Sequence, residues 1–393
     1  MPETSSWLDE RKDDPPVRGT RLLSDIYQRC NIAICEPADH KEALGNPKWK
    51  KAMGDELFMI EKNKTWELVD KPQDMKVIGV KWVFRTKLNA DGSINKKKAR
   101  LVVKGYAQIF GVDYFDTFAP VSRLDTIRLL FALSAQLGWK VHQMDVKSAF
   151  LNGILEEEIY VEQPEGVVVE GKEDRVYRLH KALYGLKQAP RAWYSRIDDY
   201  LLGFGFEKSL SESTLYVKYN SNENLVISLY VGDLLITRSS AKLIDKFKQD
   251  MMQAFEMTDL GLMTFFLGME IEQRKYEFLI CQKNYAKEIL KKFRMEDCKE
   301  MTTPMNQKQK LSKDDGVEKV DETYYRSLIG CLMYLTVTRP DILYAVSVLS
   351  RFMHCPSGKH LKATKRIVKY VKGTINYGVK FQKEPKYEAV WVF

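Results

Sequence analysis

The chain has 393 residues, of which 45% are hydrophobic and 29% are charged, and its formal net charge is +9. This length and apolar content allow a sizeable core in two or three domains and exclude a largely disordered chain. The six cysteines form no Cys-x-x-Cys pair and no apolar run reaches the roughly 20 residues of a membrane helix, which argues against a zinc or disulfide framework and against a membrane protein.

Residues 1–45 are charged and lack clear periodicity. We interpret them as a connector, or as an arm laid over the next domain. Their polar, acidic start does not resemble a signal peptide. Together with the scattered cysteines, this favours a protein of the cytoplasm or nucleus that is not secreted.

Two helices are predicted from their end signals. The first begins at Asn46-Pro47, an N-cap residue followed by proline at the first helical position. The second is predicted from a capping box at Ser122–Asp125, runs to Leu137 and ends at Gly138. In the first helix the spacing of the apolar residues indicates one face packed in a core.

A basic hairpin is predicted between these helices. The Asp-Gly pair within residues 89–92 is a strong hairpin signal between two β-rich runs. Between Lys81 and Lys104 there are eight basic residues and one acidic residue, Asp91, so this segment alone contributes +7. Arg100 and Lys104 share a face because strand side chains alternate, and a solvated face and a phosphate-binding face are both compatible with this pattern. The predicted strands are residues 78–88 and 94–103.

Two later stretches each present an acid at the end of a strand. Asp145 ends a predicted strand that starts at Trp139, and Asp233 lies at the tip of a tight hairpin within residues 229–235. Two such carboxylates can hold Mg²⁺, which proteins bind through one or two carboxylates plus substrate phosphates. Alone, each acid is weak evidence, because Gly-Asp at a hairpin tip is commonly turn chemistry. No Walker loop, kinase signature or Ser-His-Asp arrangement offers a competing site.

The remaining pattern predicts an α+β fold. Strand, helix, strand, hairpin, helix and strand follow one another, which is the order of a split βαβ, ferredoxin-like layer. Residues 304–322 are polar and contain proline and glycine, so we interpret them as a linker. Beyond the linker the chain is predicted to be helical, and its last helix, His360–Lys372, is strongly basic.

Ten short motifs stand in order along the chain. They are Trp49–Met53, Thr65–Val69, Lys98–Val102, Phe118–Val121, Gln143–Gly153, Leu183–Trp193, Tyr230–Asp233, Phe266–Gly268, Tyr325-Arg326 and Thr338–Ile342. In this order and spacing they resemble the reverse transcriptase domain of copia-type LTR retrotransposon Pol polyproteins. The resemblance implies a right-hand polymerase with fingers, a ferredoxin-like palm and a thumb, which copies RNA into DNA with Mg²⁺ or with Mn²⁺ in its place.

The resemblance also implies a domain organisation and partners. The divisions are a connector at 1–45, fingers and palm with the start of the thumb at 46–303, a linker at 304–322, and a helical thumb or connection region at 323–393. We expect the chain to stop before the acidic motifs of ribonuclease H, as a truncated or decayed copy would. The expected partners are an RNA or DNA template-primer and deoxynucleoside triphosphates, met in a cytoplasmic virus-like particle or in the nucleus.

Roles carry over to the residues whose motifs match. Phe150 is expected to be the aromatic gate that rejects a 2′-hydroxyl, and Gln188 to line the incoming nucleotide near its ribose. Plain packing is the alternative for both residues. Arg100 is expected to clamp the triphosphate, because a guanidinium suits bidentate phosphate contact, and Lys87 is a weaker candidate for the same role.

The metal-binding motif departs from the family pattern at one position. Asp145 and Asp233 are the expected metal ligands, but the family's Tyr-Val-Asp-Asp reads Tyr-Val-Gly-Asp here, with Gly232 in place of an acid. Removing one preorganised electrostatic contact typically costs about 10²–10³ in rate. We therefore predict an RNA-directed DNA polymerase that is inactive or weak. The alternative is a non-catalytic nucleic-acid-binding remnant of a Pol polyprotein, and no motif supports another two-metal enzyme such as a nuclease.

Overall fold

The computed structural model describes residues 36–88, 94–219, 224–238, 241–306, 310–313 and 315–385. These residues have the mixed α/β structure that the sequence predicts. They form two compact units, one from residues 36–283 with 376–385 and the other from residues 284–375. Most of the predicted N-terminal arm, the turn at 89–92 and the C-terminal residues 386–393 lie outside the described part of the chain.

The larger unit combines helices with several sheets. Its helices are α1 (His40–Leu44), α2 (Pro47–Lys62), α3 (Leu124–Leu137), α4 (Ala189–Gly203) and α5 (Ala241–Ala254). Its strands are β1 (Trp66–Val69), β2 (Val77–Ile78), β3 (Val80–Leu88), β4 (Ile94–Val103), β5 (Lys140–Val146), β6 (Ile154–Val161), β7 (Val176–Lys181), β8 (Glu207–Lys208), β9 (Leu215–Lys218), β10 (Leu225–Tyr230), β11 (Asp233–Arg238), β12 (Met257–Leu262), β13 (Phe265–Phe266), β14 (Met269–Arg274), β15 (Glu277–Cys281) and β16 (Gly378–Gln382). These strands pair in antiparallel fashion, except for β2 with β6, which are parallel.

A six-stranded antiparallel sheet is the centre of this unit, in the order β12-β5-β11-β10-β9-β8. The chain passes from β5 through α4 toward β10, turns directly into β11, and returns through α5 to β12. A strand, a helix, a hairpin, a helix and a strand arranged in this order are a split βαβ layer, in agreement with the sequence analysis. The ribbon of β3 and β4 forms a separate two-stranded sheet.

The two faces of the central sheet have different roles. Helices α4 and α5 cover one face, where Met144 and Leu234 belong to a buried apolar cluster with Trp193 of α4. Because side chains alternate along a strand, the next residues, Asp145 and Asp233, point to the opposite face. Apolar packing on the helix side therefore presents both acids on the other side of the sheet.

The helix ends show where local signals decide the structure. Helix α2 begins as predicted, since the Asn46 side chain accepts a hydrogen bond from the Lys48 N–H. Helix α3 ends as predicted at Gly138, which is left-handed with φ 73°. The capping box predicted for the start of α3 is wrong: Arg123 is the N-cap without a side-chain bond. The Ser122 hydroxyl is instead buried 3.1 Å from that of Ser228 on β10.

The smaller unit is helical. It contains α6 (Lys283–Lys292), α7 (Glu322–Leu335), α8 (Pro340–Ser350) and α9 (Gly358–Gly373), which share one apolar core. Because Ile289 and Phe293 belong to this core, the division between the units precedes the polar stretch at 304–322. None of the helices in the described ranges combines the length and apolar character that a bilayer crossing requires.

Candidate active site

Asp145 and Asp233 face each other across two adjacent strands. The antiparallel register of β5 and β11 pairs their Cα atoms directly, so both carboxylates project from the same face. Gln143, two residues before Asp145, shares this face and donates from Nε2 to Oδ1 of Asp233 at 2.9 Å. The sheet therefore brings together the two acids that the sequence selects.

The surroundings of the two acids disfavour their charged forms. Burial raises the pKa of Asp145, and the neighbouring Asp233 raises it further against the opposing charges of Lys98 and Lys147. Burial also raises the pKa of Asp233, and the hydrogen bond from Gln143 acts in the other direction. A cation between two such carboxylates would relieve both the repulsion and the burial cost.

The hairpin that carries Asp233 has a strained turn. Tyr230 and Asp233 pair across it, and Val231 adopts φ 54°, which is unusual for a β-branched residue and costs on the order of 1–3 kcal/mol. Surrounding bonds hold this conformation: Trp193 donates from Nε1 to the Val231 carbonyl at 2.6 Å. The Val146 N–H donates to the Gly232 carbonyl at 2.9 Å. The turn is thereby attached to the end of β5.

Gly232 leaves room for a side chain. A Cβ at this position would lie 3.5 Å from the Val146 carbonyl oxygen, 3.6 Å from Cβ of Ala149 and 3.7 Å from Oδ1 of Asp145. These are ordinary van der Waals distances, and the φ of Gly232 is not in the left-handed region. Within the described residues, no group of three or more His, Cys, Asp or Glu side chains is arranged to hold a metal ion. The site thus has two paired acids and room for a Cβ at Gly232.

Basic and aromatic side chains extend the site from the acids. The Arg100 guanidinium lies over the ring of Tyr184, with 4.9 Å between Cζ and the ring centroid. The Tyr184 ring lies 5.1 Å from that of Phe150, and the negative charge of Asp145 acts on the Tyr184 hydroxyl. Arg100 Nε is buried and has no hydrogen-bond partner. This arrangement can receive an anion next to an aromatic wall.

The other two predicted nucleotide ligands differ in their surroundings. Lys87 is exposed and pairs with Lys96 across the ribbon. Gln188 is only 3% exposed. Its Oε1 accepts from Gln108 Nε2 at 2.9 Å and its Nε2 donates to the Asp113 carbonyl at 2.8 Å. In this structure Gln188 braces a loop, and its contact with a ribose stays a prediction.

Sequence reasoning did not select several residues of this site. Gln143, Tyr184 and Lys98 lie within three of the ten motifs of the sequence analysis, close to the predicted site residues. Their position in these motifs could have indicated them. Glu56 carried no such signal. This residue of α2 is 6% exposed, and burial raises its pKa while Lys98 opposes the shift.

The chain is similar in sequence to known proteins. A family model described as reverse transcriptase (RNA-dependent DNA polymerase) matches residues 63–307. The retrovirus-related Pol polyprotein from transposon RE1 of Arabidopsis thaliana is 40% identical over 374 residues, which are 93% of this chain and 26% of that protein. The Pol polyprotein from transposon TNT 1-94 of Nicotiana tabacum is 41% identical over 377 residues, 93% of this chain and 28% of that protein.

A yeast relative is shorter. A putative transposon Ty5-1 protein of Saccharomyces cerevisiae is 35% identical over 241 residues, which are 61% of this chain and 78% of that protein. The chain spans about a quarter of the length of the two plant polyproteins.

Proposed function

Since this chain belongs to the reverse transcriptase family and corresponds to that domain of copia-type Pol polyproteins, we propose that it is an RNA-directed DNA polymerase whose activity is weak or lost. One observation supports both the polymerase assignment and the impairment: Asp145 pairs with Asp233, and Gly232 lies next to Asp233. The paired acids support nucleotidyl transfer, and the glycine removes the third acid of the motif. Within the cell, the proposed place of action is a cytoplasmic virus-like particle or the nucleus.

The proposed architecture is a right hand. In it, the central six-stranded sheet with α4 and α5 is the palm, and the ribbon of β3 and β4 with α2 belongs to the fingers. Residues 284–375 form the thumb and connection. The order of strands in the central sheet supports the palm assignment, and the charge of the ribbon suits contact with a polyanion.

In the proposed reaction, each group of the site has one task. Asp145 and Asp233 would hold Mg²⁺ or Mn²⁺, which when bound stabilises charge on the attacking and leaving oxygens. Arg100, whose buried Nε is unpartnered, would bind the triphosphate with support from the exposed Lys87. Phe150, backed by Tyr184, would exclude a 2′-hydroxyl from the sugar site.

Primer extension on an RNA template tests this proposal. We expect little or no synthesis by the protein and at least about 10²-fold more by Gly232→Asp, in Mg²⁺ and in Mn²⁺. Robust Mg²⁺-dependent synthesis by the unaltered protein would disprove the impairment.

A second candidate function is nucleic-acid binding without catalysis. The basic ribbon favours it, since Lys98 and Arg100 need no metal to contact phosphates. Salt-dependent binding of a primer–template, without extension even by Gly232→Asp, would support this function and contradict the polymerase assignment.

A further inference from the structure

Gln143 lies where the acid-bearing face of the central sheet changes from buried to accessible. Along β5, Val141 is fully buried, Gln143 is 8% exposed and Asp145 is half-buried. These three side chains form one row, because residues two apart on a strand share a face. Gln143 is therefore the last enclosed side chain of the row before the acid.

The neighbouring strand encloses Gln143 in the same way. Its partner in the register of β5 and β11 is Leu235, which is fully buried, as is Thr237 further along β11. The Thr237 hydroxyl lies 3.2 Å from that of Ser134 on α3, so α3 covers this part of the face. An amide in such a place needs a hydrogen-bond partner, because burying an unpaired amide is costly.

The partner of this amide is the second acid of the site. Gln143 Nε2 donates to Oδ1 of Asp233 at 2.9 Å, along the diagonal between β5 and β11 that long side chains can span. The bond restrains rotation of the Asp233 carboxylate, and Oδ2 takes no part in it. The sheet itself thus holds this carboxylate in one orientation.

A neutral donor suits a metal ligand better than a cation does. Elsewhere in this unit the chain uses lysine for the same purpose: Lys208 bonds Asp198 at 2.8 Å and Lys248 bonds Asp259 at 2.9 Å. Such a charge-assisted bond is stronger, but its positive charge would repel a metal ion at the same carboxylate. The Gln143 amide restrains its acid without adding charge.

We propose that Gln143 is a positioning residue of the metal site, which acts by holding the Asp233 carboxylate as a ligand. The inference rests on the proposed function in identifying a divalent cation as what the two acids bind. Gly232 has no side chain, so Asp233 is the acid that the hairpin supplies, and its orientation bears directly on affinity. Removing a hydrogen-bond partner of a metal ligand typically weakens metal binding by about 10–100-fold.

Titration of the full chain with Mn²⁺, followed by electron paramagnetic resonance without nucleotide or nucleic acid, tests the proposal. Gln143→Met has nearly the same length but no donor, and Gln143→Asn keeps the amide on a side chain shorter by one methylene. We expect both variants to bind Mn²⁺ about 10–100-fold more weakly. Thermal unfolding in EDTA checks that each variant is folded.

Gln273→Met is the matched control. The Gln273 amide also bonds to β5, but to its backbone: Oε1 accepts from the Val141 N–H at 3.0 Å, and Nε2 donates to the carbonyls of Val141 and Met263 at 2.9 and 2.7 Å. Loss of these bonds should lower the unfolding temperature. It should leave the Mn²⁺ affinity unchanged, because no acid loses a partner.

A double-mutant cycle separates positioning from a general effect on the fold. In the Asp233→Asn background, Gln143→Met should cause no further loss of Mn²⁺ affinity, since the ligand through which Gln143 acts is already removed. Losses that multiply would show that Gln143 acts elsewhere, and they would overturn the inference.

The remaining outcomes distinguish this inference from the proposed function. Mn²⁺ affinity like that of the parent in both Gln143 variants would overturn the inference and leave the proposed function standing. If Gly232→Asp binds Mn²⁺ and the parent does not, the same comparison is made in Gly232→Asp. Absence of Mn²⁺ binding by both proteins would overturn the inference and the metal site of the proposed function together.

Discussion

A Cβ on Gly232 would lie 3.7 Å from Oδ1 of Asp145. The hairpin backbone therefore leaves room for a Cβ beside the pair formed by Asp145 and Asp233, at the position where we predict that an acid is missing. A Cβ can be added at Gly232 without a clash with the surrounding atoms. This makes the effect of the missing charge measurable in an otherwise unchanged site.

The first prediction concerns this position. Gly232→Asp should raise Mg²⁺-dependent primer extension at least about 10²-fold, because it returns one preorganised charge to the site. Gly232→Asn is the matched control, since it has nearly the same shape without the charge, and it should stay near the parent level. Equal gains from the Asp and Asn variants would show that packing, not charge, limits the reaction.

The second prediction concerns pH and stability. Burial and the neighbouring Asp233 raise the pKa of Asp145, so the native protein binds this proton more tightly than the unfolded chain does. Stability is then lost as pH rises from about 4, the unfolded value, through the raised native pKa. Asp145→Asn should therefore increase the free energy of unfolding at neutral pH and change it little below about pH 4.

Denaturant unfolding across this pH range, in EDTA, measures the effect. Asp125→Asn is a suitable control because the Asp125 side chain is 92% exposed, and it should leave stability nearly unchanged at both ends of the range. Destabilisation by Asp145→Asn at neutral pH would contradict the prediction.

The third prediction concerns sugar selection. In the Gly232→Asp background, Phe150→Val should raise the use of ribonucleotides relative to deoxyribonucleotides by about 10–200-fold, the range expected when a pocket wall loses bulk. Tyr184→Phe keeps the ring that lies 5.1 Å from Phe150 and should leave selection unchanged. The measurement is the ratio of kcat/KM values for the two nucleotides. An unchanged ratio in Phe150→Val would assign this ring to packing alone.

The fourth prediction concerns the smaller unit. Arg339 is 2% exposed and donates to Asp341 at 2.7 and 2.9 Å and to the Thr374 carbonyl at 3.0 Å. Arg339→Ala should cost about 3–5 kcal/mol, because it leaves partners of a buried ion pair unsatisfied. Arg326→Ala breaks an exposed helical pair with Glu322 and should cost less than about 1 kcal/mol. Thermal unfolding compares the two, and equal effects would contradict the distinction.

Local signals were enough where neighbouring residues decide the structure. Asn46-Pro47 starts a helix because the Asn46 side chain caps it within two residues, and Gly138 ends one because glycine tolerates the left-handed region. In each case the interaction spans a few residues of the chain.

Local signals failed where a distant residue competes. Ser122 has the sequence of a capping residue, but its hydroxyl lies beside that of Ser228, 106 residues away, so the cap is not formed. The sequence likewise did not predict that the Gln188 amide bonds the Gln108 side chain and the Asp113 carbonyl, both distant in the chain; its contact with a ribose stays a prediction. A side chain with few hydrogen-bonding atoms serves whichever partner the fold brings to it.

The sequence by itself determined the family and the mixed α/β class, because both depend on residue identity and order, and it is the source of the prediction that an acid is missing at Gly232. Only the tertiary structure decided that Asp145 and Asp233 stand opposite each other, and that Gln143 donates to the second of them. Strand register and burial are set by contacts between segments far apart in the chain, which no local pattern contains.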